Sequence, residues 1–439
     1  MIKLLKIILT ILITSFYFFP VDFTFLPINT KNLLAAVGII FVIIELVRTK
    51  DFSIPRQLLI LLLISSMVSI MSLISITYNQ TPDDTYVTYI RSAVIWLSGA
   101  FAVGYIIRAV HGRIDVPIMV HYLIGVCLFQ CVSAMLINFI PSVREFVDHY
   151  IQQGQNLLIK MGRLYGIGAS LDVAGSRFAA VLVAIAFLIA SSPKRVSIGM
   201  STFYFFSFIV ITIVGNMIAR TTIIGTVIGI IWIILASFIL PKNHQRDNVA
   251  IKGIIIIAIL VGLTGFSVVL YNTNPDVKDL FRFAFEGFFN WVESGDWQTD
   301  STNKLQSMVV WPEELRTWLI GDGYFANSRY DPNYLGDATD QGFYMGTDIG
   351  YLRFIFYFGI LGLVWMIAVI AYSAFVCADC FKSYSWLFVM ALLVGLIVWG
   401  KVSTDIFLFI CLFLSTAALQ ELSDEETGTY YESETIGNI

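Results

Sequence analysis

Arginine is concentrated where the apolar segments of this chain end: Arg91, Arg163, Arg177, Arg220 and Arg353 all stand close to expected helix ends on one side of the molecule. A guanidinium stays charged, and its planar fork pairs two oxygens at once, so a group of them suits phosphate or diphosphate. Each also has a plain alternative, because an arginine within a turn of an interface can snorkel to water. Arg220, which follows Gly215-Asn216-Met217, and Arg163, in the glycine-rich passage Gly162 to Gly168, are the stronger candidates; neither has an evident acidic partner nearby in the sequence. The acidic candidates on that side are Asp172, Asp322, Asp337, Asp340 and Asp348, and its one loop histidine is His149. Asp348 stands at the start of an expected span. Its carboxylate either faces the mouth of the bundle or caps the helix by accepting from the first turn. Asp83-Asp84, beside Pro82, suits a polar turn better than a metal site. Cys377-x-x-Cys380 lacks a second pair or a histidine to complete a metal set. Neither a Walker A sequence nor H-E-x-x-H occurs.

These groups need a scaffold that is mostly lipid-like. Of 439 residues, 57% are hydrophobic and only 13% charged, with a mean hydropathy of +0.80, which places the chain in the membrane class. A helix of roughly 20 apolar residues crosses the hydrocarbon core. The expected fold is an all-α integral membrane bundle of about twelve transmembrane helices, with spans near 4–19, 31–47, 57–77, 89–107, 117–140, 176–191, 198–214, 219–240, 253–271, 349–371, 385–399 and 405–420. The first span follows Lys3 and Lys6 without a small-x-small cleavage site, so it is expected to remain as an anchor. Orientation follows from Lys and Arg in the short connections. Lys3, Lys6, Arg48, Lys50, Arg56, Arg108, Arg113, Lys194, Arg195, Lys242, Arg246, Lys252 and Lys382 fall on one side, and only Lys31, Arg91, Arg220 and Lys401 in short connections on the other. Both termini are then cytoplasmic, and 421–439 is an acidic tail expected to be disordered. No cysteine lies in an outside loop, so no disulfide framework is expected.

Within 1–420, two outside segments are too long to be connectors, about 141–175 and 272–347. In the second, 276–293 places Val277, Leu280, Phe281, Ala284, Phe285, Phe288 and Val292 on one helical stripe. Such a helix either lies along the interface with its aromatics at headgroup depth or covers the bundle as a folded segment. Two short helices follow. Asp300 or Ser301 is expected to cap the first, Pro312 to sit in the first turn of the second, and Gly321 to end it.

Gly162-Arg163-Leu164-Tyr165-Gly166 with Asp172 and Phe178-Ala179, Ala219-Arg220-Thr221-Thr222 with Gly225, and Lys304 to Trp311 followed by Leu319-Ile320-Gly321-Asp322-Gly323, Thr347-Asp348-Ile349-Gly350-Tyr351-Leu352 and Gly359-Ile360-Leu361-Gly362 together resemble the O-antigen and capsule polymerases (Wzy-type), in the superfamily that includes the O-antigen ligases. Ligases typically carry a histidine at the position matching Asp348, and polymerases often carry arginine near Lys304.

The resemblance implies a glycosyltransferase of the bacterial inner membrane. It would polymerise undecaprenyl-pyrophosphate-linked oligosaccharide repeat units on the outer face, where no nucleotide pool exists and a lipid-linked sugar is the natural donor. Asp348, Arg220 and Arg163 would be catalytic, and Arg177, Arg353, Lys304, Asp172 and Tyr351 would bind substrate. No metal or other cofactor is implied, since arginines take its place. The implied partners are membrane lipids, a chain-length regulator and a flippase, with no nucleic acid. A ligase transferring glycan to lipid A core, a lipid-linked oligosaccharide flippase and a cell-wall glycan polymerase are the alternatives.

Overall fold

Lipid offers no partner to a backbone amide, so long apolar segments must bond internally as helices. The computed structural model describes the chain apart from residues 1, 51–54, 155–157, 159–161, 194–195, 240–267, 270, 338, 340–341 and 428–439. Its helices are α1 (Ile2–Phe18), α2 (Thr30–Thr49), α3 (Arg56–Asn79), α4 (Tyr89–His111), α5 (Val116–Phe139), α6 (Pro141–Tyr150), α7 (Leu171–Ser191), α8 (Ile198–Ile218) and α9 (Thr222–Ile239), then the loop helices α10 (Pro275–Ala284), α11 (Glu286–Ser294), α12 (Asp300–Ser307) and α13 (Leu315–Ile320), and finally α14 (Gly350–Cys380), α15 (Ser385–Val398) and α16 (Phe407–Thr427). Among the described residues, seven helices are long and apolar enough to cross a membrane: α2, α3, α4, α5, α7, α8 and α14. The expected span at 253–271 lies outside the described residues except at its end, as do Lys194, Arg195, Lys242, Arg246, Lys252 and Asp340. The last helix runs through the first residues of the acidic tail to Thr427.

Helix α7 is the axis of the bundle. Its residues 174–188 are all buried, as expected of a helix that is apolar on nearly every side, with Ser176 and Arg177 the polar exceptions. It packs against α5, α8, α9 and α15. Outward faces of α2 and α3 expose Ile39, Ile40, Ile43 and Ile44, and Leu59, Leu63, Ile70 and Leu73, respectively, an apolar surface suited to lipid. The antiparallel run of helices brings the described residues of 19–29, 80–88, 140–170, 219–221, 271–349 and 399–406 to one end, here termed the loop end. There a two-residue strand pair joins Asp22–Phe23 to Ile151–Gln152, antiparallel, with Asp22 opposite Gln152.

The longest loop is ordered by a defect in the helix that follows it. Helix α14 breaks at Phe358 and Gly359, whose φ is +70°, where a continuous span is expected from sequence. The break frees backbone carbonyls, and the Gly321–Gly323 segment fills them: Asp322 N donates to Phe356 O at 2.6 Å and Gly323 N to Tyr357 O at 3.1 Å. The Ser75 hydroxyl adds a second bond to Tyr357 O at 2.7 Å. Contact is close enough to require glycine on both sides. A Cβ on Gly359 would lie 2.2 Å from the Leu319 carbonyl carbon, and one on Gly321 would lie 2.5 Å from that of Tyr357. Gly321 ends α13, as its position in the sequence suggests.

Elsewhere the loop departs from expectation. The stripe over 276–293 is not one helix, because the chain turns at Phe285 (φ −120°, ψ 28°). Val277, Leu280 and Ala284 are buried, whereas Phe288 and Val292 are more than half exposed. The turn rotates the second half away from the core and puts Glu286 at the start of a helix of its own. Thr299, not Asp300 or Ser301, caps α12. Pro312 lies before α13, and its carbonyl accepts from the Trp318 indole at 2.9 Å.

Gly359→Ala and Gly321→Ala are each expected to destabilise the protein by about 1–3 kcal/mol, the scale of a forced backbone conformation. The expected readout is a lower unfolding midpoint of the purified protein in detergent, together with faster proteolysis within 300–348. An unchanged midpoint for both would remove the docking role.

Candidate functional site

Three elements far apart in sequence meet first at the loop end. Arg163 comes from the passage before α7, where buried Gln130 clamps the backbone, accepting from Ile167 N at 2.8 Å and donating to Ile167 O at 2.9 Å. Arg220 comes from the tight turn between α8 and α9. Both guanidiniums lie over one ring, Phe283 of α10, at 5.1 Å and 4.2 Å. Arg220 is ion-paired with Glu286 and donates to the Ser301 hydroxyl at 3.2 Å. Burial lowers the Arg220 pKa, and Glu286 opposes that shift. Sequence showed no acidic partner for Arg220; the fold supplies one from the distant loop. Arg163 has no carboxylate within ion-pair distance among the described residues.

A second group adjoins the first. Asp172, in the first turn of α7, accepts from Lys401 Nζ at 2.8 Å and is hydrogen-bonded to the Thr221 hydroxyl. Lys401 also donates to Thr221 at 3.0 Å. Arg163 acts on Asp172 electrostatically, which links the two groups.

Asp348 completes the arrangement. It is not a cap: the N-cap of α14 is Ile349, with no side-chain bond to the first turn, and Ile349 N is instead served by the Thr347 hydroxyl at 3.3 Å. The Asp348 side chain is 27% exposed and faces Arg353 at 3.4 Å. Arg353 also donates to the Ser403 hydroxyl at 2.9 Å and to Phe325 O at 3.0 Å, and it stacks on Phe325 at 3.8 Å and Phe343 at 4.7 Å. Burial pushes the Asp348 carboxyl up to about 6; Arg353 draws it down, Asp172 raises it, and Lys401 and Lys304 lower it. Lys304 itself is exposed on α12, whose Leu305 packs against Ile349, Leu352 and Phe356. The Nε groups of Arg220 and Arg353 are buried without a hydrogen-bond acceptor, so each keeps a donor in reserve.

Arg163, Arg220, Asp172, Asp348, Arg353 and Lys304 are thus brought together, and two candidates are not. Arg177 is buried within α7, donating to Phe18 O at 2.6 Å and lying over Phe18 and Phe19, with Asp405 as its electrostatic counterpart. Tyr351 donates to Leu396 O at 2.7 Å and packs edge-on against Trp399, which ties α14 to α15. Asp83 accepts from Phe325 N at 2.7 Å and Ala326 N at 2.8 Å and so pins the loop. Asp322 is held by Thr317, Arg316 and Tyr344 beside the helix break. Asp337 is exposed, and His149 packs edge-on against Tyr150 at the end of α6.

Lys401, Phe283 and Glu286 are members that the sequence did not single out. Lys401 had one signal, a lone lysine in a short turn between apolar helices; Phe283 and Glu286 had none, since their contacts with Arg220 depend on how α10 and α11 dock on the α8–α9 turn. Together the site is a row of cations interspersed with three partly exposed carboxylates, Asp172, Glu286 and Asp348. It can hold a polyanion and offer a proton acceptor beside it. The chain matches no family model, no curated protein and no solved structure.

Because Asp348 titrates near 6, it is ionised above that pH and protonated below it. A protonated-carboxyl infrared band, absent from Asp348→Asn, is expected to vanish with a midpoint near pH 6. Arg353→Gln removes the group that draws the carboxyl down, so the midpoint should move upward by about one pH unit, and Arg353→Lys should largely restore it. A downward move in Arg353→Gln would contradict the pairing.

Proposed function

We propose that the protein is a polysaccharide polymerase that transfers a glycan from undecaprenyl pyrophosphate to a sugar hydroxyl of an incoming lipid-linked repeat unit. On this reading it has twelve spans in the bacterial inner membrane, both termini in the cytoplasm, and its loop end on the outer face. The supporting observation is the convergence of Arg163 and Arg220 on Phe283 beside the Asp172–Lys401 and Asp348–Arg353 pairs. A diphosphate leaving group and a hydroxyl nucleophile need those two things side by side.

The acceptor oxygen bonds to the anomeric carbon as the bond from that carbon to the diphosphate oxygen breaks. The hydroxyl proton passes to Asp348, which is mostly ionised at neutral pH given its value of about 6. Undecaprenyl pyrophosphate departs with its charge against Arg163 and Arg220, which supply the stabilisation a metal would otherwise give. By resemblance, aspartate rather than histidine at position 348 favours a polymerase over a ligase.

Arg163→Ala and Arg220→Ala are each expected to lower polymer formation about 100-fold or more at unchanged membrane abundance, and Asp348→Asn likewise; modal-length glycan in any of the three would remove that residue's role. Deletion of the protein separates the alternatives. Single repeat units on lipid A core support a polymerase, complete polymer retained on the lipid carrier indicates a ligase, and neither product indicates a flippase.

A further inference from the structure

We infer that Glu286 is a built-in competitor that makes the Arg163–Arg220 site selective for diphosphate over a single phosphate group, an inference that rests on the anion-binding reading above. Glu286 is held where an anion would sit. It is ion-paired with Arg220, while its Oε1 accepts from Asp300 N at 3.0 Å, so the start of α12 keeps the carboxylate in place. Phe283, one turn earlier in the same loop, covers both guanidiniums. The loop therefore gives Arg220 a full-time carboxylate and leaves Arg163 with a ring face and the more distant Asp172, itself engaged by Lys401.

Selectivity follows from what each ligand must displace. An anchored carboxylate competes at high effective concentration, because it loses no translational freedom on binding. A single phosphate group that enters can replace Glu286 on Arg220 only by exchanging one charged hydrogen bond for another, with little net gain, and otherwise reaches Arg163 alone. A diphosphate carries enough charge and length to hold Arg163 first and then take Arg220 from Glu286, including the buried Nε that now lacks an acceptor. Discrimination is then a difference between two affinities, created by the repulsive element as much as by the attractive one.

The test is calorimetric titration of the purified full-length protein in detergent with inorganic orthophosphate and inorganic pyrophosphate, for the wild type, Glu286→Gln and Arg220→Ala. Wild type is expected to favour pyrophosphate. In Glu286→Gln, orthophosphate affinity should rise about tenfold, the equivalent of one charge-assisted bond no longer contested, so that the preference shrinks by a similar factor. An unchanged preference, or a parallel loss of both affinities with a lower unfolding midpoint, would overturn the inference and leave Glu286 as a loop anchor. Arg220→Ala isolates the underlying reading. If it still binds pyrophosphate as the wild type does, the anion site itself is wrong; if it loses binding while Glu286→Gln keeps the wild-type preference, only the competitor role fails.

Discussion

A broken helix inside an apolar bundle must have its freed carbonyls satisfied, and the rest of the loop end depends on how this chain does it. Phe356 and Tyr357 lose their helical partners at the Phe358–Gly359 break, and the backbone of Asp322 and Gly323 takes them over. Unpaired carbonyls in a low-dielectric surround would cost several kcal/mol each, so the loop is bound by the same requirement that makes the spans helical. Once Gly321–Gly323 is docked, the residues that follow are positioned in turn. Asp83 catches the backbone of Phe325 and Ala326, Phe325 lies flat on Arg353, and Arg353 fixes Asp348. The chain of contacts runs from a helix defect to the carboxylate on which the chemistry is proposed to turn.

The turn between α15 and α16 works in a complementary way, by distributing charge. Lys401 reaches Asp172 and Thr221 on α7 and the α8–α9 turn, Ser403 accepts from Arg353 on α14, and Asp405 balances Arg177 while accepting from Phe407 N at 2.9 Å. Alternate residues of one short turn thereby serve separate neighbours. Trp399 at its start is fully buried; its indole donates to Thr404 O at 2.8 Å, and its carbonyl accepts from Tyr351 N at 3.1 Å. That rigidity explains why Tyr351 belongs to the frame rather than to the site. The same turn places Asp405 where its carboxylate acts electrostatically on Arg177.

The site differs from a preformed phosphate cradle in one respect. Its cations are already engaged, Arg220 by Glu286, Lys401 by Asp172 and Arg353 by Asp348, while Arg163 rests on a phenyl ring. Pairing of this kind keeps several like charges close together without mutual repulsion dominating. It also means that a polyanion bound there would exchange partners rather than fill an empty space, so on the proposed reading the loop helices α10 to α12 would take part in recognition.

The amino-acid sequence by itself determined the helical, membrane-compatible class of this protein and the two long segments at one end, because apolar run length and backbone hydrogen bonding act locally and need no knowledge of neighbours. It also marked Arg163, Arg220 and Asp348 as residues of the right chemistry at segment ends. It could not separate Arg353, which joins Asp348, from Arg177, which serves the interior: both are arginines near a helix start, and only the packing of α7 against α1 and the α15–α16 turn distinguishes them. Nor could it show that Asp348 faces Arg353 instead of capping α14, that the stripe at 276–293 breaks at Phe285, or that Glu286 finds Arg220. Those outcomes were decided by tertiary structure, because ion pairs in a low-dielectric bundle form between whichever helix ends the packing brings together, and sequence separation carries no information about that.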